Sequence, residues 1–344
     1  MTEQDDNGAA TIFDVARLAG VSASTVSRVV NRYPHIKQAT RDRVEAAMLE
    51  LGYVANLQAR ALAGGRSQLI GMLLYDLESS YHNQIVRGLD AELSASDYDV
   101  MLCTTHQRTG REASYVAQLS SGVVDGLVVI LPADLSRYVE QLKARDFPFV
   151  LIDYDDDPRY NVVKVDNEHG AAQAVDHLVE LGHRRIGLIT GNLEHASARE
   201  RRAGYQDAMR RHGLDDESFI AVSDFMEATA YDAMQQLLAR DEPPTAVFTS
   251  ADVPAFGAIE AIRDTGLDVP GDISVVGFDD IPEAAMTGLT TIRQPMSEMG
   301  CHAARIILDA LKGEVEEPQL VVLPTELVVR DTTAAPPRRR RGRR

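Results

Sequence analysis

The sequence has few cysteines and no hydrophobic run long enough to cross a membrane. A transmembrane helix needs about 20 consecutive apolar residues, and the chain also lacks a basic and then apolar N-terminal signal. Its two cysteines, Cys103 and Cys301, are far apart, which favours a reducing compartment over a disulfide framework. We therefore expect a cytoplasmic protein without membrane contact. Its 344 residues are enough for two or three domains.

The chain also lacks the short motifs of common enzymes. It contains no Walker-type phosphate loop, no G-x-S-x-G elbow and no closely spaced His and Cys ligands for a metal. Asp279 and Asp280 are neighbours on one predicted strand, so their carboxylates point to opposite faces and cannot act as the paired acids of a glycosidase. We expect a protein that is not an enzyme and that uses no metal or cofactor.

Charge is unevenly distributed along the chain, whose net charge is −17. Residues 11–66 contain eight Arg or Lys and four Asp or Glu, a net charge of +4. Residues 67–337 contain 21 basic and 45 acidic residues, a net charge of −24. A basic head on an acidic body favours phosphate binding at one end and repels DNA elsewhere. Simple solubility is the alternative explanation for the acidic body.

Two short helical patterns meet at Gly20 within residues 12–31 (IFDVARLAGVSASTVSRVVN). Thr11 and Asp14 form a predicted capping box for the first helix, and Ser22 caps the second. The second helix carries side chains suited to phosphates and base edges, with Arg28 placed to read a guanine. An ordinary helical hairpin with a solvated polar face is the alternative. The pattern favours a DNA-binding helix-turn-helix.

The segments around this hairpin are less regular. Residues 40–52 (TRDRVEAAMLELG) predict a third helix, with Thr40 as its cap and Gly52 at its end. Residues 56–63 (NLQARALA) favour a helix but are too few to form one alone, so a plain flexible linker is the alternative. We expect disorder at 1–10 and at 331–344, an Arg-rich tail that either adds nonspecific DNA affinity or binds nothing.

From residue 68 onward, apolar strands alternate with amphipathic helices. The predicted strands are LIGMLLY, YDVMLCTT, DGLVVIL, FPFVLID, RIGLIT, AVFTS, ISVVGFDD and the final LPTELVVR. The predicted helices lie near 82–95, 111–121, 135–145, 168–182, 198–213, 228–240 and 252–266. This alternation is typical of parallel sheets covered on both faces. There are too many strands for one compact sheet, so we expect two lobes, 68–163 with 293–322 and 164–290 with 323–330.

Ligands of such sheets bind beyond the carboxyl ends of the strands. Several side chains at these ends suit a polyol, because carboxylates and a guanidinium bind paired hydroxyls and an aromatic ring packs on a sugar face. The candidates are Asp76, Tyr81, His82, Asp153, Asp166, Arg201, Asp252 and Asp279. Ordinary turn and cap chemistry is the alternative, and it is at least as good an explanation for Asp76 and Asp153.

Taken together, these features resemble the LacI family of lactose-repressor-like transcriptional regulators. The segments that carry the resemblance include DVARLAGVSASTVSRVVN, TRDRVEAAMLELGYVAN, ARALAGGRSQLIG, VDHLVELGHRRIGLITG, SARERRAGY and DISVVGFDDIPEAAMTGLTTIRQP. The resemblance implies an α/β protein with an all-α helix-turn-helix headpiece at 11–55 and a hinge at 56–66. It also implies a periplasmic-binding-protein-like body at 67–330, built from two doubly wound parallel sheets.

The resemblance further implies a homodimer that binds a palindromic operator in double-stranded DNA, in the cytoplasm at the nucleoid. The implied DNA contacts are Thr11, Ser22, Ala23, Ser24, Thr25, Ser27, Arg28, Asn31, His35, Asn56 and Leu62. Leu62 is matched to a leucine that opens a minor-groove step when the hinge folds on DNA. Ala55 departs from the family, which usually has Pro there, and this predicts a looser hinge.

The resemblance implies that Arg201 and Asp279 contact the effector. Ala251 departs from many sugar-binding members, which carry Asn at this position, and one expected hydrogen bond is therefore missing. Our interpretation is a repressor that a sugar-like molecule releases from DNA. A purine-type co-repressor is one alternative, and a solute-binding or sensory protein that does not regulate transcription is another.

Overall fold

The structure is a computed structural model. It describes residues 10–30, 33, 35–53, 66–106, 108, 110–132, 134–214, 219–314 and 317–337. The predicted contacts Asn31, Asn56 and Leu62 lie outside the described residues.

The headpiece consists of three helices, α1 (Ile12–Ala19), α2 (Ala23–Val30) and α3 (Gln38–Glu50). The predicted capping box is present, since Thr11 accepts the amide of Asp14 while the Asp14 carboxylate accepts the amide of Thr11. Gly20 turns the chain with a φ of 62°, a left-handed conformation that glycine adopts without strain. The inner faces of the helices bury one small apolar core: Val15, Ala16, Ala19, Val26, Val29, Val44 and Ala47.

The predicted cap of the third helix was wrong. Helix α3 begins at Gln38 rather than after Thr40, and Lys37, the residue before it, makes no capping hydrogen bond with its side chain. The amide of Thr40 already donates to the carbonyl of Lys37 at 2.9 Å. The first turn is therefore closed by backbone bonds, and Thr40 lies within it.

The rest of the described chain forms two lobes with alternating strands and helices. Lobe one begins with β1 (Leu69–Leu74), α4 (Ser80–Ser94), β2 (Asp99–Thr104), α5 (Arg111–Leu119), β3 (Gly126–Ile130), α6 (Val139–Lys143), β4 (Phe149–Ile152) and β5 (Val162–Val165). Lobe two follows with α7 (Asn167–Glu180), β6 (Ile186–Thr190), α8 (Ala196–Arg211), β7 (Ile220–Val222), α9 (Glu227–Leu238), β8 (Ala246–Thr249), α10 (Asp252–Asp264), β9 (Ser274–Asp279), α11 (Pro282–Thr287) and β10 (Thr290–Arg293). The chain then returns to lobe one with α12 (Met296–Lys312) and β11 (Leu320–Leu323), and it ends in lobe two with β12 (Glu326–Val328).

Each lobe contains a six-stranded sheet. The strand orders are β11-β5-β4-β3-β1-β2 in lobe one and β12-β10-β9-β8-β6-β7 in lobe two. All pairings are parallel except the antiparallel pair of β10 and β12. The chain crosses between the lobes three times, after β5, β10 and β11. The predicted fold class is confirmed. The lobe boundaries differ by up to three residues, since β5 of lobe one continues to Val165 and β10 of lobe two continues to Arg293.

Helices α4 and α12 approach each other closely on lobe one. A Cβ added at Gly88 would lie 1.8 Å from the carbonyl oxygen of Ser297, and one at Gly300 would lie 2.1 Å from that of Ile85. Only glycine permits this backbone contact, which fixes the returning helix against the first helix of the lobe. None of the described helices is long and apolar enough to cross a membrane.

The expected disorder of residues 331–344 was wrong for 331–337, which pack along lobe two. Thr332 accepts the amide of Val275 with its carbonyl at 2.8 Å and donates its hydroxyl to the carbonyl of Val275 at 2.7 Å. The amide of Ala334 donates to Ser274 Oγ at 3.0 Å, and its carbonyl lies 2.8 Å from His183 Nε2. These partners are remote in sequence, so the composition of the segment does not reveal them. The arginines at 338–344 lie outside the described residues.

Replacing Gly88 by Ala should destabilise lobe one. The added methyl group meets backbone rather than a mobile side chain, and overpacking of this kind costs about 1–3 kcal/mol. Urea denaturation would measure the change in the free energy of unfolding. Ser94→Ala, at an exposed position on the same helix, is the matched control and should change little. Equal stability of both variants would contradict the close packing of α4 on α12.

Candidate functional site

Two of the DNA-binding candidates on α2, Ser24 and Arg28, lie on the exposed side of the helix, away from its core residues. Val26 and Val29 are buried, whereas Ser22, Ser24 and Arg28 are exposed. Ser22 Oγ caps the helix by accepting the amide of Thr25 at 3.1 Å, as predicted. This arrangement leaves a short helix with a polar outer face, which fits the geometry of a recognition helix.

The guanidinium of Arg28 makes no hydrogen bond or ion pair with any described residue and is exposed, so it is available to a partner. The other candidates are placed differently. The hydroxyl of Thr11 already pairs with Asp14, to which it donates at 2.6 Å. Ala23, Thr25 and Ser27 are half-buried along α2, and His35 is exposed in the turn before α3. Their DNA contacts stay predictions.

A cavity of about 340 Å³ lies between the lobes, at the carboxyl ends of both sheets. Six of the eight predicted effector residues line it: Asp76, Tyr81, His82, Asp153, Arg201 and Asp279. Asp166 and Asp252 do not. The two sheets therefore bring together residues that are more than 200 positions apart in the sequence.

Arg201 is the most constrained side chain of the cavity and is 3% exposed. Its Nε donates to Asn167 Oδ1 at 2.8 Å, and its Nη1 donates to the carbonyl of Ser250 at 2.6 Å. Nη1 also lies 3.6 Å from Asp279 Oδ1, and the guanidinium stacks 3.8 Å above the centre of the Phe278 ring. A buried guanidinium with these partners is held in one orientation toward the cavity.

Asp279 ends β9 with a φ of 126°, a conformation that a side-chain-bearing residue rarely adopts. Its Oδ1 accepts Gln294 Nε2 at 2.6 Å. Burial raises the pKa of this carboxyl to about 7, although the charge of Arg201 acts in the opposite direction. Strained and titratable groups of this kind concentrate at functional sites.

Asp153 faces Asp279 from lobe one. Its Oδ2 accepts the hydroxyl of Tyr81, while its Oδ1 is buried without a partner among the described residues. Burial raises the pKa of the Asp153 carboxyl, and the charge of Arg201 partly opposes this. Burial, followed by the charge of Asp153, raises the pKa of Tyr81. An unpaired buried acceptor needs a donor, and a ligand hydroxyl in the cavity would supply one.

Asp76 and His82 lie at the same end of lobe one. Asp76 Oδ1 accepts the amides of Glu78 and Ser79 at 2.9 and 3.1 Å, so this carboxylate closes the turn before α4. His82 Nδ1 lies 4.0 Å from Asp76 Oδ1. Burial lowers the pKa of His82, with Asp76 opposing the shift. Asp76 therefore closes a turn, which was the alternative to its predicted role in effector binding. Its second carboxylate oxygen remains available to a ligand in the cavity.

Asp166 and Asp252 have structural roles and lie outside the cavity lining. Asp166 is exposed and caps α7 by accepting the amide of His169 at 3.0 Å. Asp252 is fully buried and accepts the amide of Ile281 at 2.9 Å and the hydroxyl of Thr291. Burial and the negative charge of Asp279 raise the pKa of Asp252. Both carboxylates follow a strand end but turn away from the cavity, so the predicted direct contacts do not fit this geometry.

Several residues that line the cavity were not predicted from the sequence. Phe225 and Met226 line the cavity from lobe two, and Tyr75 and Leu131 line it from lobe one. An apolar pair separated by two residues from the end of the short strand β7 was the sequence signal for Phe225 and Met226. Among the described residues, no group of His, Cys, Asp and Glu is arranged to hold a metal ion.

Comparison with known proteins agrees with both parts of this structure. Residues 11–56 match the bacterial regulatory proteins of the lacI family, and residues 175–333 match a periplasmic binding protein-like domain. The repressor PurR of Proteus mirabilis is 35% identical over 334 residues, covering 95% of this chain and 98% of PurR. The chain belongs to the LacI family.

Solved structures of LacI-family regulators extend this result to the whole fold. A lac repressor dimer bound to operator and the anti-inducer ONPF is 34% identical, with a TM-score of 0.83 over 95% of this chain and 100% of that one. A complex of the transcriptional regulator CelR with cellobiose is 31% identical, with a TM-score of 0.73 over 94% and 99%. This chain is therefore a DNA-binding transcriptional regulator, and not an enzyme.

The buried carboxyl of Asp279 predicts a pH dependence of stability. Its pKa is about 7 in the folded protein, against about 3.9 in an unfolded chain. Between these values the folded state binds the proton more tightly, so the free energy of unfolding decreases as pH rises. Relative to Asp279→Asn, the wild type should lose on the order of a few kcal/mol of stability between about pH 5 and pH 8.

Urea titrations across this pH range would measure the difference. Asp241→Asn, at an exposed position, is the control and should follow the wild type. A wild-type curve parallel to that of Asp279→Asn would show that Asp279 is ionised normally in the fold.

Proposed function

We propose that this LacI-family regulator is a repressor that binds a palindromic operator as a homodimer and is released by a neutral, sugar-like effector. The cavity between the lobes is the observation that supports the proposed effector. There a fixed Arg201 and the carboxyls of Asp153 and Asp279 converge from opposite sheets. Such a set accepts and donates hydrogen bonds within a small space, which is what adjacent hydroxyl groups require.

The charge of the cavity favours a neutral ligand over an anionic one. Arg201 is the only Arg or Lys of the described lining, and Asn167 and the carbonyl of Ser250 already accept its hydrogen bonds. Acidic side chains face the same space from both lobes: Asp76, Glu78, Glu112, Asp153, Asp224 and Asp279. A phosphate or carboxylate would meet more negative than positive charge here. The CelR complex contains cellobiose, a sugar, which supports the same chemistry for this chain.

The switch follows from the connections between the lobes. Effector bound between the two sheets changes their relative orientation, and the predicted hinge at 56–66 leads into β1 of lobe one. Two hinges in a dimer would then separate or approach, which changes how the headpieces fit successive major grooves. We infer that the effector favours the arrangement that does not fit the operator.

Two alternatives are weaker. A purine-type co-repressor would place a flat base in the cavity. The edge of that base would have to form hydrogen bonds with both Asp153 and Asp279. A solute-binding protein without a regulatory role does not need the helix-turn-helix, and residues 11–56 match the lacI family.

Arg28→Ala should reduce sequence-specific DNA binding. Loss of one base contact costs roughly 1–3 kcal/mol at one symmetric operator position, because the exposed Arg28 guanidinium has no partner within the described protein. Arg43→Ala, an exposed charge on α3, is the matched control and should weaken operator and random DNA evenly. Binding titrations on both DNAs would measure this, and an equal loss on both for Arg28→Ala would remove its assigned role.

Arg201→Ala or Asp279→Ala should abolish the response to effector and preserve operator binding in its absence. Each side chain contacts the cavity, and neither lies in the headpiece. Arg210→Ala, an exposed change on the same helix as Arg201, should respond as the wild type does. The measurement is an operator titration with and without a sugar identified by thermal shift. A wild-type response from both cavity variants would place the effector elsewhere.

A further inference from the structure

The chain after β12 runs along lobe two and away from the cavity. Strand β12 pairs with β10 in the antiparallel direction, so the chain after it leaves the carboxyl ends of the strands. The amide of Arg330 donates to Thr290 Oγ1 at 2.9 Å, at the start of β10. The amide of Ala334 donates to Ser274 Oγ at 3.0 Å, at the start of β9. The cavity lies at the carboxyl ends of these strands, so the segment leads to the opposite edge of lobe two.

Residues 335–337 leave lobe two at this far edge. Pro336 Cδ lies 3.6 Å from where a Cβ of residue 182 would be, so Pro336 packs on Gly182, in the turn before β6. Pro337 is exposed. Consecutive prolines, each with φ fixed near −65°, favour an extended chain. The residues that follow Pro337 therefore start at the outer edge of lobe two.

The headpiece is joined to the body at the other end. The amide of Ser67 donates to Asp125 Oδ1 at 2.8 Å, and these two residues lie just before β1 and β3. The chain from the headpiece therefore enters lobe one at the amino ends of its strands. Because the carboxyl ends of both sheets face the cavity, the amino ends of the two sheets lie at opposite ends of the body.

Residues 338–344 (RRRRGRR), here called the Arg tail, contain six arginines. Seven residues span at most about 25 Å even when fully extended. A compact body of about 270 residues has a radius of gyration of about 18 Å, which corresponds to a sphere roughly 45 Å across. The Arg tail is therefore too short to reach across the body to the operator that the headpiece binds.

We propose that the Arg tail binds a second segment of double-stranded DNA, so that the regulator bridges two DNA segments, one at each end of its body. This inference goes beyond the proposed function and does not depend on the effector. Arginine binds phosphate oxygens in a bidentate manner. Duplex DNA offers about one negative charge per 1.7 Å of its length. When the headpiece holds one segment, the rest of that DNA molecule is present at a high effective concentration.

The acidic surface of the protein itself is the competing partner. Glu180, Asp241, Glu242 and Asp268 are exposed on the segments that lead into β6, β8 and β9, at the edge where the Arg tail starts. Exposed ion pairs of this kind are weak and are screened by salt. Contacts with a duplex release condensed counterions in addition. DNA should therefore displace these carboxylates from the Arg tail.

The test is a DNA capture assay on the full-length protein at low salt. A random-sequence duplex on beads is loaded with protein and washed, and a second, labelled duplex is then added. The wild type should capture the second duplex. Serine in place of all six arginines at 338–344 should reduce capture at least about tenfold, whereas lysine in their place should retain it, because phosphate binding requires the positive charge. Arg210→Ser combined with Arg263→Ser removes exposed charge from α8 and α10 and should leave capture unchanged.

Several results would overturn the proposal. Capture that persists in the serine variant would show that the headpieces alone bridge the duplexes. Absence of capture by the wild type would show that the Arg tail binds no second duplex. Stronger capture of a single-stranded RNA of equal length would exclude duplex DNA as the preferred partner. Sedimentation and urea denaturation of the free serine variant should match the wild type, and a change in its assembly would assign the bridging to protein contacts. None of these results bears on the sugar-like effector.

Discussion

The buried positive charge of Arg201 organises the space between the two lobes. Burying a guanidinium is costly unless hydrogen bonds and opposite charge compensate it. The compensating groups come from three elements of lobe two, Asn167 at the start of α7, the carbonyl of Ser250 after β8 and Asp279 at the end of β9. These groups meet only when the parallel sheet is complete, so the fold and the orientation of Arg201 depend on each other.

The same arrangement connects binding to movement. Two contacts between the lobes near the cavity join exposed groups, Ser80 with Glu283 at 2.6 Å and Arg199 with Asp155 at 2.5 Å. A third is buried, since Lys164 of lobe one forms an ion pair with Glu200 of lobe two. Exposed ion pairs contribute little, with a median of about 0–1 kcal/mol. A ligand that bridges Asp153 and Asp279 therefore competes with the two exposed contacts and with the Lys164–Glu200 ion pair when it changes the relative position of the lobes.

Local sequence patterns predicted the helix-turn-helix and the alternation of strands and helices, because periodicity and capping are local properties. They predicted no strand at β7, which has only three residues. Asp166 and Asp252 were predicted to bind the effector because each follows a strand. A carboxylate at that position has the same sequence pattern whether it caps a helix or binds a ligand. The difference depends on remote partners, such as Ile281 and Thr291 for Asp252. The position of Phe225 in the cavity was not predicted for the same reason, since its ring packs on Gly191, which is remote in sequence.

The most direct test of the account is reciprocity between the two ligands. Operator affinity is measured with and without the effector, and effector affinity is measured with and without operator, on the same wild-type protein. The account predicts that each ligand weakens the other by the same factor, equivalent to a coupling of about 1–3 kcal/mol. Affinities that are independent of the second ligand would contradict a switch between cavity and headpiece.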